Sequence, residues 1–261
     1  MHMFNIIDWK KEKLVLSVDF PQDFQENKQY KAIIICHGLI GSRVGVDRLF
    51  VKTGQRLAKE NYLVFRFDYS GCGESTGIYG SYSMPELMEQ TKTVINYAAS
   101  LPYVEELILL GHSLGGATAL LTANRDQRIQ TLIQWAAVSN PYHELSRIFG
   151  EERIQTLKSR PSIDFHGYPF SSYYFDQMKN FYPLEEAASF QGNVLLIHGT
   201  ADKDIAYEGL DRYKKSYQKR AHGSVETYSI HGACHTFSTG EHYQQLIDYT
   251  CAWLQKLHPN Y

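Results

Sequence analysis

The sequence is poor in the features that mark several protein classes. Its 261 residues include four cysteines, Cys36, Cys72, Cys234 and Cys251, with no CxxC pair or other metal spacing among them. That argues against a disulfide scaffold or a structural zinc site, and the thiols read as reduced and mostly buried. No apolar run approaches membrane-spanning length, and residues 1–10 lack the apolar core and cleavage site of a secretion signal; a soluble, cytoplasmic protein without a membrane partner is expected. Lys and Arg number 26 against 28 Asp and Glu, a net charge of −2, so no basic face recommends nucleic acid as a partner. The eleven histidines form no HExxH, and Gly71 Cys72 Gly73 lacks the third glycine of a dinucleotide fingerprint. Neither a metal nor another cofactor is expected. No Pro-, Gly- or Ser-rich linker divides the chain, which therefore reads as one domain over residues 1–261.

What the chain does have is a rhythm. Residues 13–20 alternate enough for an antiparallel strand, and residues 32–36 are an unbroken β-branched run of the kind covered on both faces. Further strands are expected at 62–68, 106–110, 131–138, 193–198 and 224–230, with helices over about 47–60, 85–100, 114–124 and 241–256. Strands alternating with helices predict an α/β fold, a mostly parallel twisted sheet wrapped on both faces. The rhythm lapses from about 140 to 186, where Phe165, Tyr168, Phe170, Tyr173, Tyr174, Phe175, Phe181 and Tyr182 crowd together. This insertion is either an aromatic core under a satellite subdomain or a cap whose rings line an acyl pocket, and both readings can hold at once.

One stretch carries chemistry. In Leu109 Leu110 Gly111 His112 Ser113 Leu114 Gly115 Gly116 Ala117 an apolar strand turns through glycines into a helix-forming run. Gly-x-Ser-x-Gly in that context is the nucleophile elbow: the serine occupies a strained turn and the glycines remove side chains that would collide. A serine hydroxyl is a weak nucleophile at neutral pH, so the elbow calls for a general base and a carboxylate to orient it, in the chain order serine, acid, histidine. The acid belongs after the strand ending at His198. Asp202, at the turn directly after that strand, is the candidate; Asp204 is the alternative and reads as the cap of the following helix. The base belongs after residues 224–230. There His235 lies deeper in the loop than His231, and Cys234 reads as a packed thiol. The backbone N–H groups of Leu39, after His37 Gly38, and of Leu114 are the expected oxyanion donors, with His37 as a loop brace.

Taken together, His37 Gly38 Leu39, Asp68 Tyr69 Ser70 Gly71 Cys72 Gly73 Glu74 Ser75, Gly111 to Gly116, His198 Gly199 Thr200 Ala201 Asp202 and Gly232 Ala233 Cys234 His235 resemble the α/β-hydrolase superfamily along nearly the whole chain. Within it they look most like small bacterial carboxylesterases of the cinnamoyl (feruloyl) esterase type. The resemblance implies a catalytic triad of Ser113, Asp202 and His235 and an oxyanion hole at Leu39 and Leu114. It also implies a cap tyrosine on the phenolic ring, matched here by Tyr174 with Tyr173 as the neighbouring alternative. The expected activity is hydrolysis of small esters, hydroxycinnamates among them, through an acyl-enzyme. Thioesterase or aminopeptidase-type amide cleavage, and a noncatalytic ligand-binding role, are the alternatives. A small-molecule ester is the expected partner, and a second copy of the chain is left open.

Overall fold

The β-branched run at residues 32–36 lies at the centre of the molecule, and its alternation explains the two layers around it. In the computed structural model, which describes residues 2–259, the chain begins with β1 (His2–Trp9), β2 (Glu12–Asp19), β3 (Tyr30–Cys36), α1 (Leu49–Lys59), β4 (Leu63–Phe67) and α2 (Met84–Ala99). It continues with β5 (Val104–His112), α3 (Leu114–Ala123) and β6 (Ile129–Trp135). After an inserted segment come β9 (Asn193–Gly199), α8 (Gly209–Tyr217), β10 (Val225–Ile230) and α9 (Gly240–Leu257). The insertion holds α4 (Pro141–Phe149), α5 (Glu151–Gln155), the hairpin β7 (Ile163–Phe165) and β8 (Tyr168–Phe170), α6 (Ser172–Met178) and α7 (Pro183–Ala187).

Eight strands form one sheet in the order β1-β2-β4-β3-β5-β6-β9-β10. β1 and β2 are antiparallel additions at one edge, and β4, β3, β5, β6, β9 and β10 run parallel. Along β3, Ile33 and Ile35 pack with Leu57 of α1 and Leu246 of α9, whereas Ala32, Ile34 and Cys36 pack with Leu87 of α2 and Leu120 of α3. A strand sandwiched in this way has no solvent face, so the polar half of the usual alternation is missing from its sequence. α3 is buried all round, which its Ala- and Leu-rich sequence permits.

Most expected elements appear within a few residues. α1 starts at Leu49 instead of residue 47, because Asp47 and Arg48 hold φ of 50° and 62°, outside the helical region. β1 was not expected from the sequence. As the edge strand it leaves Phe4 and Ile6 more than half exposed, so it lacks a clean inward alternation.

The inserted segment carries a cluster of aromatic rings continuous with the core on the α2 and α3 face of the sheet. Phe149 packs against Phe165, Phe170 and Phe175 at ring separations of 4.2, 4.7 and 5.0 Å, and Phe170 meets Tyr174 at 4.8 Å. The body holds this cap through the Ser83 hydroxyl, which donates to the Tyr174 carbonyl at 2.7 Å, and through the Asn124 amide, which donates to the Glu186 carbonyl at 2.7 Å.

Candidate active site

The loops leaving the carboxyl ends of β3, β5, β6, β9 and β10 meet along one rim, because those strands are parallel neighbours. Four non-glycine residues with positive φ, Ile40, Ser113, Ala136 and Phe237, lie on the loops after β3, β5, β6 and β10. Strain gathered at one edge is a mark of a functional site.

Ser113 has φ 58° and ψ −126° and immediately precedes α3. Its N–H donates to the Trp135 carbonyl at 2.9 Å, and its carbonyl accepts from Val138 N–H at 3.1 Å, so the end of β6 and the loop after it fix the strained residue from both sides. The glycines around it are required by contact. A methyl at Gly115 would sit 2.1 Å from the Cys36 carbonyl oxygen, and one at Gly38 would sit 2.9 Å from Ser113 Cβ. Gly38 therefore brings the β3 loop against the serine.

That loop is braced twice. His37 Nδ1–H donates to the Gly38 carbonyl at 2.8 Å while its Nε2 accepts from Tyr69 N–H at 3.0 Å. Burial lowers the His37 pKa, which favours the neutral ring these two bonds need. Farther along, Arg43 donates its backbone N–H to Asp68 Oδ1 at 2.5 Å, and its guanidinium pairs with Asp68 and Glu74. Sequence reasoning missed this network; its signal was Asp68, a carboxylate at the end of the apolar strand β4, buried and thus in need of a cation. Among the described residues, the N–H groups of Leu39 and Leu114 donate to no protein acceptor. Leu114 opens α3, where the first N–H groups have no partner within the helix and the dipole favours negative charge.

Asp202 and His235 come together as a pair. His235 Nδ1–H donates to Asp202 Oδ2 at 2.7 Å, which leaves Nε2 as the free nitrogen. The two loops are stitched to each other: Ala201 N–H donates to the Ala233 carbonyl at 3.0 Å and Gly232 N–H to Thr200 Oγ1 at 2.9 Å. Burial opposes ionisation of Asp202, but hydrogen bonds from His198 and then His235 hold its carboxyl below the usual carboxylate range. His112, the variable residue inside the elbow, donates Nε2–H to the His235 carbonyl at 2.8 Å. Burial, and after it His235, push His112 down to about 3, so its ring is neutral.

Asp204 does not cap a helix as the sequence suggested: α8 begins at Gly209, preceded by Glu208. Its N–H instead donates to Asp202 Oδ1 at 2.9 Å, and its carbonyl accepts from Arg147 of the cap. His231 is exposed, and the Cys234 thiol contacts Thr236 Oγ1 at 3.7 Å.

Ser113 and His235 line one cavity of about 260 Å³, together with Gly38, Leu39, Leu49, Phe50, Asp204 and the cap residues Ile148, Phe165 and His166. No hydrogen bond joins Ser113 Oγ to His235 among the described residues; such contacts are commonly long in ligand-free sites and tighten with substrate. The two tyrosines implied by resemblance are not among the residues lining this cavity. Tyr174 is fully buried in the cap's aromatic core, and Tyr173 turns outward to donate its hydroxyl to Glu86 at 2.8 Å. Phe165, at the end of β7, and His166, on the turn to β8, line the cavity from the cap with Ile148. Asp202, Asp204 and His235 offer ligand atoms within 4.8 Å of one another, enough to approach a cation. Both oxygens of Asp202 are already engaged, however, by histidine and backbone donors.

A family model described as serine aminopeptidase, S33, matches residues 27–168. The chain belongs to that family of α/β-hydrolases. Among curated proteins, the hydrolase is 25% identical over 207 residues to inactive dipeptidyl peptidase 10 of Mus musculus, a match covering 75% of this chain and 24% of that protein. It thus spans about a quarter of the length of that relative. It is also 24% identical over 273 residues to an uncharacterised 31.7 kDa protein from the traX-finO intergenic region of Escherichia coli, covering 88% of this chain and 92% of the other. Among solved structures, Est1E from Butyrivibrio proteoclasticus with ferulic acid bound superposes with a TM-score of 0.83 at 22% identity, over 97% of this chain and 98% of that one. At that identity the likeness speaks for the fold. No helix among the described residues is long and apolar enough to cross a membrane.

Proposed function

We propose that the hydrolase cleaves small carboxylic esters through an acyl-enzyme on Ser113. The observation that carries this reading is the pairing of a strained, cavity-facing Ser113 with His235, whose Nδ1–H is held by a buried Asp202 on the same rim. His235 Nε2 takes the hydroxyl proton as Ser113 Oγ attacks the ester carbonyl carbon, and the oxyanion forms against the Leu39 and Leu114 N–H groups. Collapse of the tetrahedral adduct breaks the bond to the alcohol oxygen, which receives the proton from His235. A water molecule, deprotonated by the same nitrogen, then attacks the acyl-serine and releases the carboxylic acid. Asp202 orients the ring and stabilises the imidazolium throughout.

The cavity volume of about 260 Å³ falls just below the range of roughly 300–1,000 Å³ usual for drug-sized ligands, and its walls of Leu49, Phe50, Ile148 and Phe165 suit a compact aromatic or apolar acyl group. Hydroxycinnamates fit that description, and Est1E, which was solved with ferulic acid, shares the fold. Amide cleavage is the second reading, favoured by the aminopeptidase description of the family; the Asp204 carboxylate at the cavity could receive a substrate ammonium. Matched ester, thioester and anilide substrates with one acyl group separate the two. The ester reading expects ester turnover far above anilide turnover, abolished in Ser113→Ala, and labelling of Ser113 by a fluorophosphonate. No Ser113-dependent turnover and no labelling would end it.

A further inference from the structure

Asp202 is held by more donors than orienting one histidine requires. Oδ2 accepts two imidazole N–H bonds, from His235 Nδ1 at 2.7 Å and from His198 Nε2 at 2.9 Å. Oδ1 accepts the backbone N–H groups of Asp204 and Ile205, each at 2.9 Å. The other contact of His198 Nε2, the Ile205 carbonyl at 3.3 Å, is also an acceptor, so the hydrogen sits on Nε2 and His198 is the donor toward Asp202. The ring is fixed in place by its position near the end of β9 and by Tyr207, edge-on at a centroid distance of 5.8 Å. Its side chain is 2% exposed and that of Asp202 is 0% exposed, so water does not compete for the bond.

We propose that His198 is a positioning residue for the reaction, occupying part of Asp202 Oδ2 so that the carboxylate keeps one orientation and draws on His235 with limited strength. The proposal rests on the acyl-enzyme reading above. Two donors on one oxygen share its electron density. With His198 removed, Oδ2 becomes a stronger acceptor for His235 alone, and the carboxylate loses one of the bonds that hold its plane. The charged form of His235 is then favoured in the resting enzyme, so the base is neutral only at higher pH. The titratable groups facing His198 and His235 are Asp202 between them, the Asp204 carboxylate within 4.8 Å of a His235 ring nitrogen, His112 on β5 and Tyr207 after β9. None of them offers Asp202 Oδ2 a replacement donor in the present arrangement.

The comparison that tests this is His198→Met, which fills the space without an N–H, against His198→Gln, which keeps a donor at similar reach. With para-nitrophenyl acetate, His198→Met is expected to lower kcat by about tenfold with KM nearly unchanged, and to move the acid limb of kcat/KM to higher pH. His198→Gln is expected to restore most of the rate and the original limb. A Met variant with the wild-type rate and limb, or a Gln variant no better than Met, overturns the proposal. Should the Met variant not fold, proton NMR of the unsubstituted protein decides. Two strongly downfield imidazole N–H signals, both moved upfield in Asp202→Asn, are expected, and a single one would overturn it. Wild-type turnover in Asp202→Asn would instead sink the triad reading, an outcome distinct from failure of the His198 comparison.

Discussion

The rim of the sheet and the cap above it use their side chains in opposite ways. At the rim, few residues do much, and what fixes them is backbone: a serine with φ 58°, glycines pressed against carbonyls, and loops laced by main-chain bonds. In the cap many large rings are spent on one another, with Phe149 alone packing against Phe165, Phe170 and Phe175. Only Ile148, Phe165 and His166 of that segment reach the cavity with Ser113 among the described residues. Chemistry at the rim should therefore be sensitive to single atoms, and the cap should be sensitive to lost volume.

The largest expected effect comes from the rim. Asp202→Asn should lower kcat by about 10⁴-fold, because the amide favours the wrong tautomer of its partner histidine. Asp204→Asn should change it by about twofold, since what Asp204 gives Asp202 is a backbone N–H that the substitution keeps. Steady-state kinetics on an aryl ester reads both; a reversed pair would assign the acid to Asp204 and break the account of the rim.

The cap should answer to volume. Phe149→Ala is expected to cost about 3–5 kcal/mol in chemical denaturation, the range for a buried aromatic in a core that cannot fully collapse. If the cap's ring cluster can open without the sheet, trypsin should cut faster at the exposed Arg153 and Lys158 while the sheet resists. Uniform loss of protection would show instead that cap and body unfold as one unit.

Acid separates the regions again, more gently. Asp202 has a folded pKa below its unfolded value, because donors from His198 and His235 outweigh burial. Such a group contributes stability that is fully present above the unfolded value of roughly 3.9 and is lost as pH falls through the folded one. Wild type should therefore lose more stability than Asp202→Asn between about pH 5 and pH 3. Asp126, held low chiefly by Arg128, acts equally in both proteins and cancels in the difference.

This contrast also sets how much could be read from the sequence. Strands β3, β5 and β9, the strained turn at Ser113, and the pairing of Asp202 with His235 were legible, because a parallel sheet writes itself as apolar runs and a strained turn demands glycine at fixed spacing. His198 and Arg43 were not, although both sit inside recognised blocks. A donor to a carboxylate has no spacing rule of its own, so its role appears only when two loops are placed side by side. The cap was legible as aromatic and no further. Ring crowding looks the same in a sequence whether the rings face each other or a ligand, and that is why Tyr173 and Tyr174 were expected at a cavity they do not line.

The smallest predicted effect tests that correction directly. Tyr173 is 39% exposed, and its hydroxyl donates to Glu86, a residue of the capping box that starts α2. Tyr173→Phe removes a surface hydrogen bond with solvent at hand to replace it, so stability should change by no more than about 0.5 kcal/mol. It should also leave kcat and KM for aryl esters within about twofold, since such a change converts to less than one tenfold step. Phe165→Ala, at the cavity wall, should raise KM for the same esters by removing apolar contact on the acyl side. A Tyr173→Phe variant that loses activity on phenolic esters while Phe165→Ala does not would return the tyrosine to the binding site, and would mean that the cap closes differently over substrate.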